Sequence, residues 1–167
     1  RQMCIRDSFS SAQCAVWNDW AHEQFSSYGQ AMHPVAAIAT GDLDCAMAEI
    51  ERVAKMGYTT LSLPCKPIWG AHDVDHVNYN LPHFDPMWAL IQEADLTMTF
   101  HVSTGRDPRA SRGNGGAVIN YVTHSLAPTI EPIANLCASG VLERFENLRF
   151  ASVEAGIGWV PWLLDAV

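Results

Sequence analysis

The 167-residue sequence predicts an α/β fold built on a parallel sheet. Helical and strand-length patterns alternate from one end to the other, and strict alternation means βαβ units with right-handed crossovers. The first strand candidate, Pro34 to Ala39 (PVAAIA), is apolar on both sides, as a strand buried on two faces is. Two long loops, residues 65–82 and 102–116, each follow the C-terminal end of a strand candidate, where long connections commonly carry function. Four strands joined in this way describe either half of a barrel or a small doubly wound sheet.

Each element has its own signal. Ser10 to Ser27 is predicted as the first helix: Ala15, Asn18, Ala21 and Phe25 share a face, Trp17 and Trp20 lie nearby, serines at the start offer caps, and Tyr28-Gly29 ends it. After the 34–39 strand, Asp42 is placed to cap a helix over Leu43–Met56. Leu43, Met47, Ile50 and Ala54 recur there at helical spacing, Glu51 and Lys55 pair one turn apart, and Gly57 is the stop. Thr59 to Leu63 is the second strand, closed by Pro64. Asp85-Pro86 opens a helix running to about Ala94, with Pro86 at the first helical position, where its missing N–H has no partner to lose. Leu96 to His101 is the third strand. A helix or two fill Val118 to Ser139, with breaks expected at Pro128 and Pro132. Leu148 to Glu154 is the fourth strand, and Gly156-Ile157-Gly158 leads into a helix from about Pro161.

This length supports one sizeable core, so a single domain is expected. A net charge of -8 and the lack of any Lys/Arg run disfavour binding to phosphate backbones, so no nucleic-acid partner is expected. Every apolar run is cut by charge, Gly or Pro before it reaches membrane-spanning length, and the start lacks the apolar stretch of a secretory signal. The five cysteines are odd in number and form no C-x-x-C pair, which points to reduced, mostly buried thiols in a cytoplasmic protein. Six tryptophans suggest aromatic anchors in a core or a pocket wall. Arg1 to Ser8 show neither helical nor strand periodicity and read as a non-native scar, leaving residues 9–167 as the expected domain. The end, Leu163 to Val167, falls inside a helical pattern, so truncation at both ends is expected.

Two residues stand out as chemistry-bearing. His101 closes an otherwise apolar strand at the end where such sheets bind ligands. A neutral imidazole there can hold a divalent metal or act as acid or base; the plain alternative is a histidine bonded to backbone. Glu154 takes the equivalent place on the following strand, ahead of Gly-x-Gly, and suits a metal ligand, a general base or a partner for a ligand histidine. Its plain alternative is a buried ion pair with Arg106 or Arg109. Lys66, just past the second strand, is placed either to bind a substrate carboxylate or to sit on the surface as a solvated lysine. His72, Asp73, Asp75, His76 and His83 lie on a loop. A ligand pair four residues apart needs a helix, so a wet lid is the better reading. His22, His33 and His124 read as structural. Gly113-Asn114-Gly115-Gly116 is not followed by Lys-Ser/Thr and so is no P-loop. Gly156-Ile157-Gly158 lacks the third glycine of a dinucleotide fingerprint.

Several stretches resemble the amidohydrolase-related family that includes aminocarboxymuconate-semialdehyde decarboxylase and the resorcylate-type decarboxylases. They are Asn18-Asp19-Trp20, Pro34 to Ile38, Ala48 to Gly57, Asp85 to Trp88, Phe100-His101-Val102, Ser139 to Phe145 and Val153 to Trp159, in that order over about residues 10–167. The resemblance implies a partial TIM (β/α)8 barrel holding a divalent metal, zinc being the expected one, at its C-terminal face. In the family a His-x-His pair on the first strand, a histidine on a middle strand and an aspartate on the last bind that metal. His101 matches the middle-strand histidine. Glu154 falls where the decarboxylases usually carry a further histidine. The His-x-His pair and the last-strand aspartate have no counterpart in this sequence.

The function implied is metal-assisted hydrolysis or non-oxidative decarboxylation of a small carboxylated substrate, aromatic or not, by the full-length parent, with homo-oligomerisation of that parent left open. His101 would be a ligand and Glu154 a ligand or acid/base; Lys66 and Arg106 would attract the anion; Trp69 and Trp159 would wall the pocket. Two other readings stay open: a metal-free lactonase- or isomerase-like barrel using Glu154 and His101 for proton transfer alone, and a non-catalytic α/β module that binds a small ligand. A complete barrel typically needs about 250 residues, so the chain alone is expected to bind metal weakly and catalyse little.

Overall fold

The computed structural model describes residues 2–67, 77–104 and 110–166, the side chains of residues 2–7 and 30 excepted. Four strands, β1 (Ala36–Ala37), β2 (Thr60–Leu63), β3 (Thr97–His101) and β4 (Arg149–Val153), form one sheet in the order β1-β2-β3-β4. All three pairings are parallel. Sequential order is the winding of a barrel segment. A doubly wound sheet would reverse its order at a switch point, which this sheet does not do.

The connections are α1 (Gln2–Phe25), α2 (Leu43–Met56), α3 (Asp85–Glu93), α4 (Gly116–Ile119), α5 (Ile130–Ala138), α6 (Val141–Arg144) and α7 (Trp159–Ala166). α2 has the ends its sequence dictates. The Asp42 carboxylate accepts from the Cys45 N–H at 2.9 Å, and Gly57 takes the left-handed conformation (φ 94) that closes the last turn. α1 starts at Gln2, so it takes in residues for which no periodicity predicts a helix. No Gly or Pro interrupts that stretch, and extending a formed helix is far easier than nucleating one. The region 116–138 is helical throughout, passing from α4 through a π-helical stretch, Asn120–Leu126, and a 3-10 turn, Ala127–Thr129, into α5. The breaks expected at Pro128 and Pro132 do not occur. Pro132 is the third residue of α5, where an N–H has no intrahelical acceptor, and Pro128 sits in the first turn of the 3-10 segment.

Side chains alternate between the two faces of the sheet. Leu61 and Leu63 of β2 lie beside Met98 and Phe100 of β3, and all four are fully buried in one core with Ile50, Val53, Met87, Trp88 and Ile91. The opposite face carries Thr60, Ser62, Thr97, Thr99 and Ala151, half-buried or exposed. The strands are therefore buried on one face only, and the second face is more open and largely polar. Trp88 is the buried aromatic anchor of this core, whereas Trp17, Trp20 and Trp162 are about half exposed or more.

Two buried polar groups tie the layers together. Asn18 of α1 is 0% exposed. Its amide oxygen accepts from the Ala37 N–H at 2.7 Å, and its amide nitrogen donates to the Ala37 carbonyl at 2.9 Å and to Glu49 Oε1 at 2.7 Å. Tyr79 packs against Phe84, Trp88 and Phe100 and donates its phenol to the Pro64 carbonyl at 2.8 Å, with the Thr40 hydroxyl 3.1 Å away. Burial pushes that phenol well above the ordinary tyrosine range, so it stays a donor. Tyr79→Phe leaves the Pro64 carbonyl without its partner and is expected to cost about 1–3 kcal/mol. A denaturant midpoint equal to that of the parent chain would refute this.

Candidate functional site

The site is built where the C-terminal ends of β2, β3 and β4 meet. His101 is the last residue of β3 and stands beside Val153. By alternation its side chain shares the open face with Thr97 and Thr99. Beyond it the chain makes a tight turn: the Thr104 N–H donates to the His101 carbonyl at 3.1 Å, and Ser103 takes φ 70. The turn is held from the side by Cys65, which follows β2. Its N–H donates to the Thr104 carbonyl at 3.0 Å, and its thiol lies 3.4 Å from both the His101 carbonyl and the Thr104 hydroxyl. Burial pushes the Cys65 thiol up, which keeps its S–H.

The turn also aims the ring. His101 Nδ1 is 2.8 Å from the Val102 carbonyl. A carbonyl oxygen only accepts, so Nδ1 carries the hydrogen and, in the neutral ring, Nε2 keeps its lone pair. That lone pair faces Glu154, whose Oε2 is 3.7 Å away. The backbone-bonded alternative for His101 is therefore observed at Nδ1, and Nε2 is the nitrogen nearer Glu154.

Glu154 reaches this position against the strand period. Val153 is the register partner of His101, so a regular continuation of β4 would send the next side chain to the opposite, helix-covered face. Glu154 instead adopts φ 59, a left-handed conformation uncommon for a residue with a side chain, and the chain turns there. The carboxylate remains 67% exposed, which does not fit the buried ion pair considered as its alternative. Arg106 and Arg109 lie outside the described residues.

Lys66 is beside Cys65, with Nζ 3.1 Å from Glu131 Oε2 on α5, and is neither free nor solvated alone. Trp159 opens α7 and donates its indole N–H to the Gly156 carbonyl at 3.1 Å. Trp69 and the loop residues His72, Asp73, Asp75 and His76 lie outside the described residues. His83 is exposed with its ring against Phe84, and His124 is buried with Nδ1 3.1 Å from the Asn120 amide oxygen. His22 and His33 face a separate cavity of about 320 Å³ at the N-terminal ends of β1 and β2, far along the strands from His101. Among the described residues no three His, Cys, Asp or Glu side chains converge as a metal-binding group. No described helix is long and apolar enough to cross a membrane.

Sequence reasoning overlooked Glu131, Cys65 and Thr104 as members of this rim. Cys65 and Thr104 carried a usable signal, each lying within three residues of a strand end; Glu131 carried none.

The fold recurs in solved structures. 2,6-Dihydroxybenzoate decarboxylase from Rhizobium superposes with a TM-score of 0.70 at 15% identity over 96% of this chain and 50% of that one. 5-Carboxyvanillate decarboxylase from Sphingomonas paucimobilis gives 0.61 at 23% identity over 86% and 41%. A dihydroxybenzoic acid decarboxylase from Polaromonas sp. JS666, with bound manganese and the inhibitor 2-nitroresorcinol, gives 0.61 at 15% identity over 87% and 44%. No curated protein matches the chain in sequence. The structural likeness establishes the fold as a partial (β/α)8 barrel, and the chain spans about half the length of the structures it matches. The amidohydrolase family model matches residues 7–167, and the chain belongs to that family.

Proposed function

We propose that this chain is the catalytic-rim half of a metal-dependent carboxy-lyase or hydrolase acting on a small aromatic carboxylate. The observation that carries the reading is the approach of His101 Nε2 to Glu154 Oε2, 3.7 Å apart on the strand-end rim. The decarboxylases of similar fold, all acting on ring-bearing carboxylates by their names, support the substrate class.

The donor set fits a divalent cation in part. An imidazole nitrogen with its lone pair free and a carboxylate oxygen 3.7 Å apart match two bonds of about 2.0–2.2 Å meeting at one ion. One nitrogen and one oxygen suit zinc or manganese alike, so zinc remains the expected metal on the resemblance alone. When bound, the ion would supply polarisation of a substrate oxygen or a water of lowered pKa. The residues of the chain do the rest. His101 holds its ring by the Val102 carbonyl and presents Nε2. Glu154, exposed on the rim, either holds the ion through Oε2 or, unligated, moves a proton at that oxygen: as the protonated acid to the ring carbon that loses carbon dioxide in a decarboxylation, or as the carboxylate from water in a hydrolysis. Trp159 walls the pocket. Lys66 draws in the anion by exchanging Glu131 for the substrate carboxylate.

The whole protein carrying this segment tests the reading. With a dihydroxybenzoate as substrate, carbon dioxide release is expected to stop on chelation and return with added manganese or zinc. Turnover that survives chelation would overturn the metal-dependent assignment. Glu131→Gln should release Lys66 and tighten hydroxybenzoate binding about two- to fivefold, the worth of a half-exposed ion pair. Unchanged affinity in a calorimetric titration would remove Lys66 from the anion site.

A further inference from the structure

We infer that Cys65 and Thr104 are positioning residues that set the tautomer and direction of the His101 imidazole. The inference rests on the reading of His101 as a site residue and adds two side chains to it whose hydrogen bonds go to the backbone of its turn.

The geometry runs through the backbone. The His101 carbonyl accepts from three donors: the Thr104 N–H at 3.1 Å, the Thr104 hydroxyl at 2.6 Å, and the Cys65 thiol at 3.4 Å. Cys65, 1% exposed, returns its own N–H to the Thr104 carbonyl at 3.0 Å. Residues 101–104 are therefore closed on themselves and clamped to the end of β2. The clamp matters because the ring is not held by its neighbours in the pocket: the His101 side chain is 43% exposed. What orients it is the Val102 carbonyl, 2.8 Å from Nδ1, and Val102 lies inside the clamped turn. Its peptide plane is fixed by the bonds that fix the turn. Ser103 at φ 70 is what such a turn demands at its third position, and the same bonds hold it there. Loosen the turn and the Val102 carbonyl swings; the Nδ1 hydrogen then loses its acceptor, and the two tautomers approach the balance of a free imidazole. In that state Nε2 carries a hydrogen part of the time and no longer presents a lone pair to Glu154 or to a cation.

A hydroxyl at 104 and a thiol at 65 are matched to their tasks. Thr104 bonds the carbonyl three residues back, a local pattern open to Ser and Thr. Cys65 is a small buried donor whose sulfur spans a distance that a serine hydroxyl would have to close.

The test uses the metal-free full chain, labelled with ¹⁵N-histidine, at a pH about two units above the ordinary histidine pKa. The His101 signals are assigned by their loss in His101→Asn. Long-range proton–nitrogen correlations then report which ring nitrogen carries the hydrogen. The parent chain is expected to show the Nδ1–H form. Thr104→Val, which removes the hydroxyl at constant shape, and Cys65→Ala should each lower the ratio of Nδ1–H to Nε2–H about fivefold, the effect of losing one ordinary hydrogen bond. Thr104→Ser should keep the parent ratio. An Nε2–H parent, or a folded Thr104→Val or Cys65→Ala chain with the parent ratio, overturns the inference; the second variant decides if the first does not fold. Because metal and substrate are both absent, this result is separate from the chelation experiment. A parent-like ratio in the variants leaves the proposed activity standing, and chelator-resistant turnover leaves the positioning role standing.

Discussion

Asn18→Ala should lower the stability of the chain by about 3 kcal/mol, a shift of about 6–12 °C in melting temperature for a protein of this size. The magnitude follows from what the amide does. It is fully buried and makes three hydrogen bonds, two of them to the N–H and carbonyl of one residue, Ala37. Alanine removes both partners of that peptide at once. Each buried backbone group left unsatisfied costs about 1–3 kcal/mol, and the third bond, to a carboxylate, is charge-assisted. Trp17→Ala, one residue away on the exposed side of the same helix, is the control, expected within about 0.5 kcal/mol of the parent because Trp17 is 51% exposed. Guanidinium unfolding of the two variants decides the matter. A midpoint for Asn18→Ala no lower than for Trp17→Ala would mean that the Ala37 peptide finds water or another partner.

Glu154→Gly should move stability and activity in opposite directions. The left-handed backbone at Glu154 costs about 1–2 kcal/mol for a residue with a Cβ, and glycine releases that cost while giving back about 0.4–1 kcal/mol through its freer unfolded state. The net expectation is a gain of about 0.5–1 kcal/mol. In the whole protein the same change deletes the carboxylate opposed to His101, and turnover should fall about 10²–10⁴-fold, the usual worth of a positioned acid/base group. Glu154→Gln separates the two effects, since it keeps the backbone strain and loses only the charge: similar loss of turnover, unchanged stability. Should Glu154→Gly destabilise the chain by more than about 1 kcal/mol, φ 59 would not be a strained position, and the account of how the carboxylate returns to the rim would fail.

How far the sequence could be read depended on whether the deciding interactions were local. The bounds of α2 follow from Asp42 and Gly57, which act on the turns next to them, and both ends fall where expected. Strand β1 is shorter than its apolar run because only Ala36 and Ala37 pair with β2, and the outward bonds of Ala37 go to a side chain nineteen positions earlier. Nothing in the run itself records that. The prolines at 128 and 132 were read as breakers from composition, yet their effect is set by their place in a turn, and a π-helical stretch ahead of them shifts that place. At the rim, strand-end position made His101 and Glu154 legible as residues, but not their meeting. A strict two-residue period would part them, and only the backbone at 154 rejoins them. The sequence leaves Lys66 open between a substrate-carboxylate binder and a solvated lysine; its partner, Glu131, is on a distant helix, and such a pairing leaves no trace in local pattern.

The amide of Asn18 also bears on how this chain behaves in crowded solution. A parallel sheet segment offers two open margins, and an open margin is a template for pairing with a neighbour's chain. At β1 the margin is two residues long and its Ala37 donor and acceptor are already occupied by a side chain, so it offers little to an incoming strand. The other margin, β4, is five residues long, with exposed Arg149 and Ala151 along it. Strand addition from a neighbouring copy would therefore start from the β4 end of the sheet, while the guanidinium of Arg149 is drawn the other way, toward Asp95 at the start of β3.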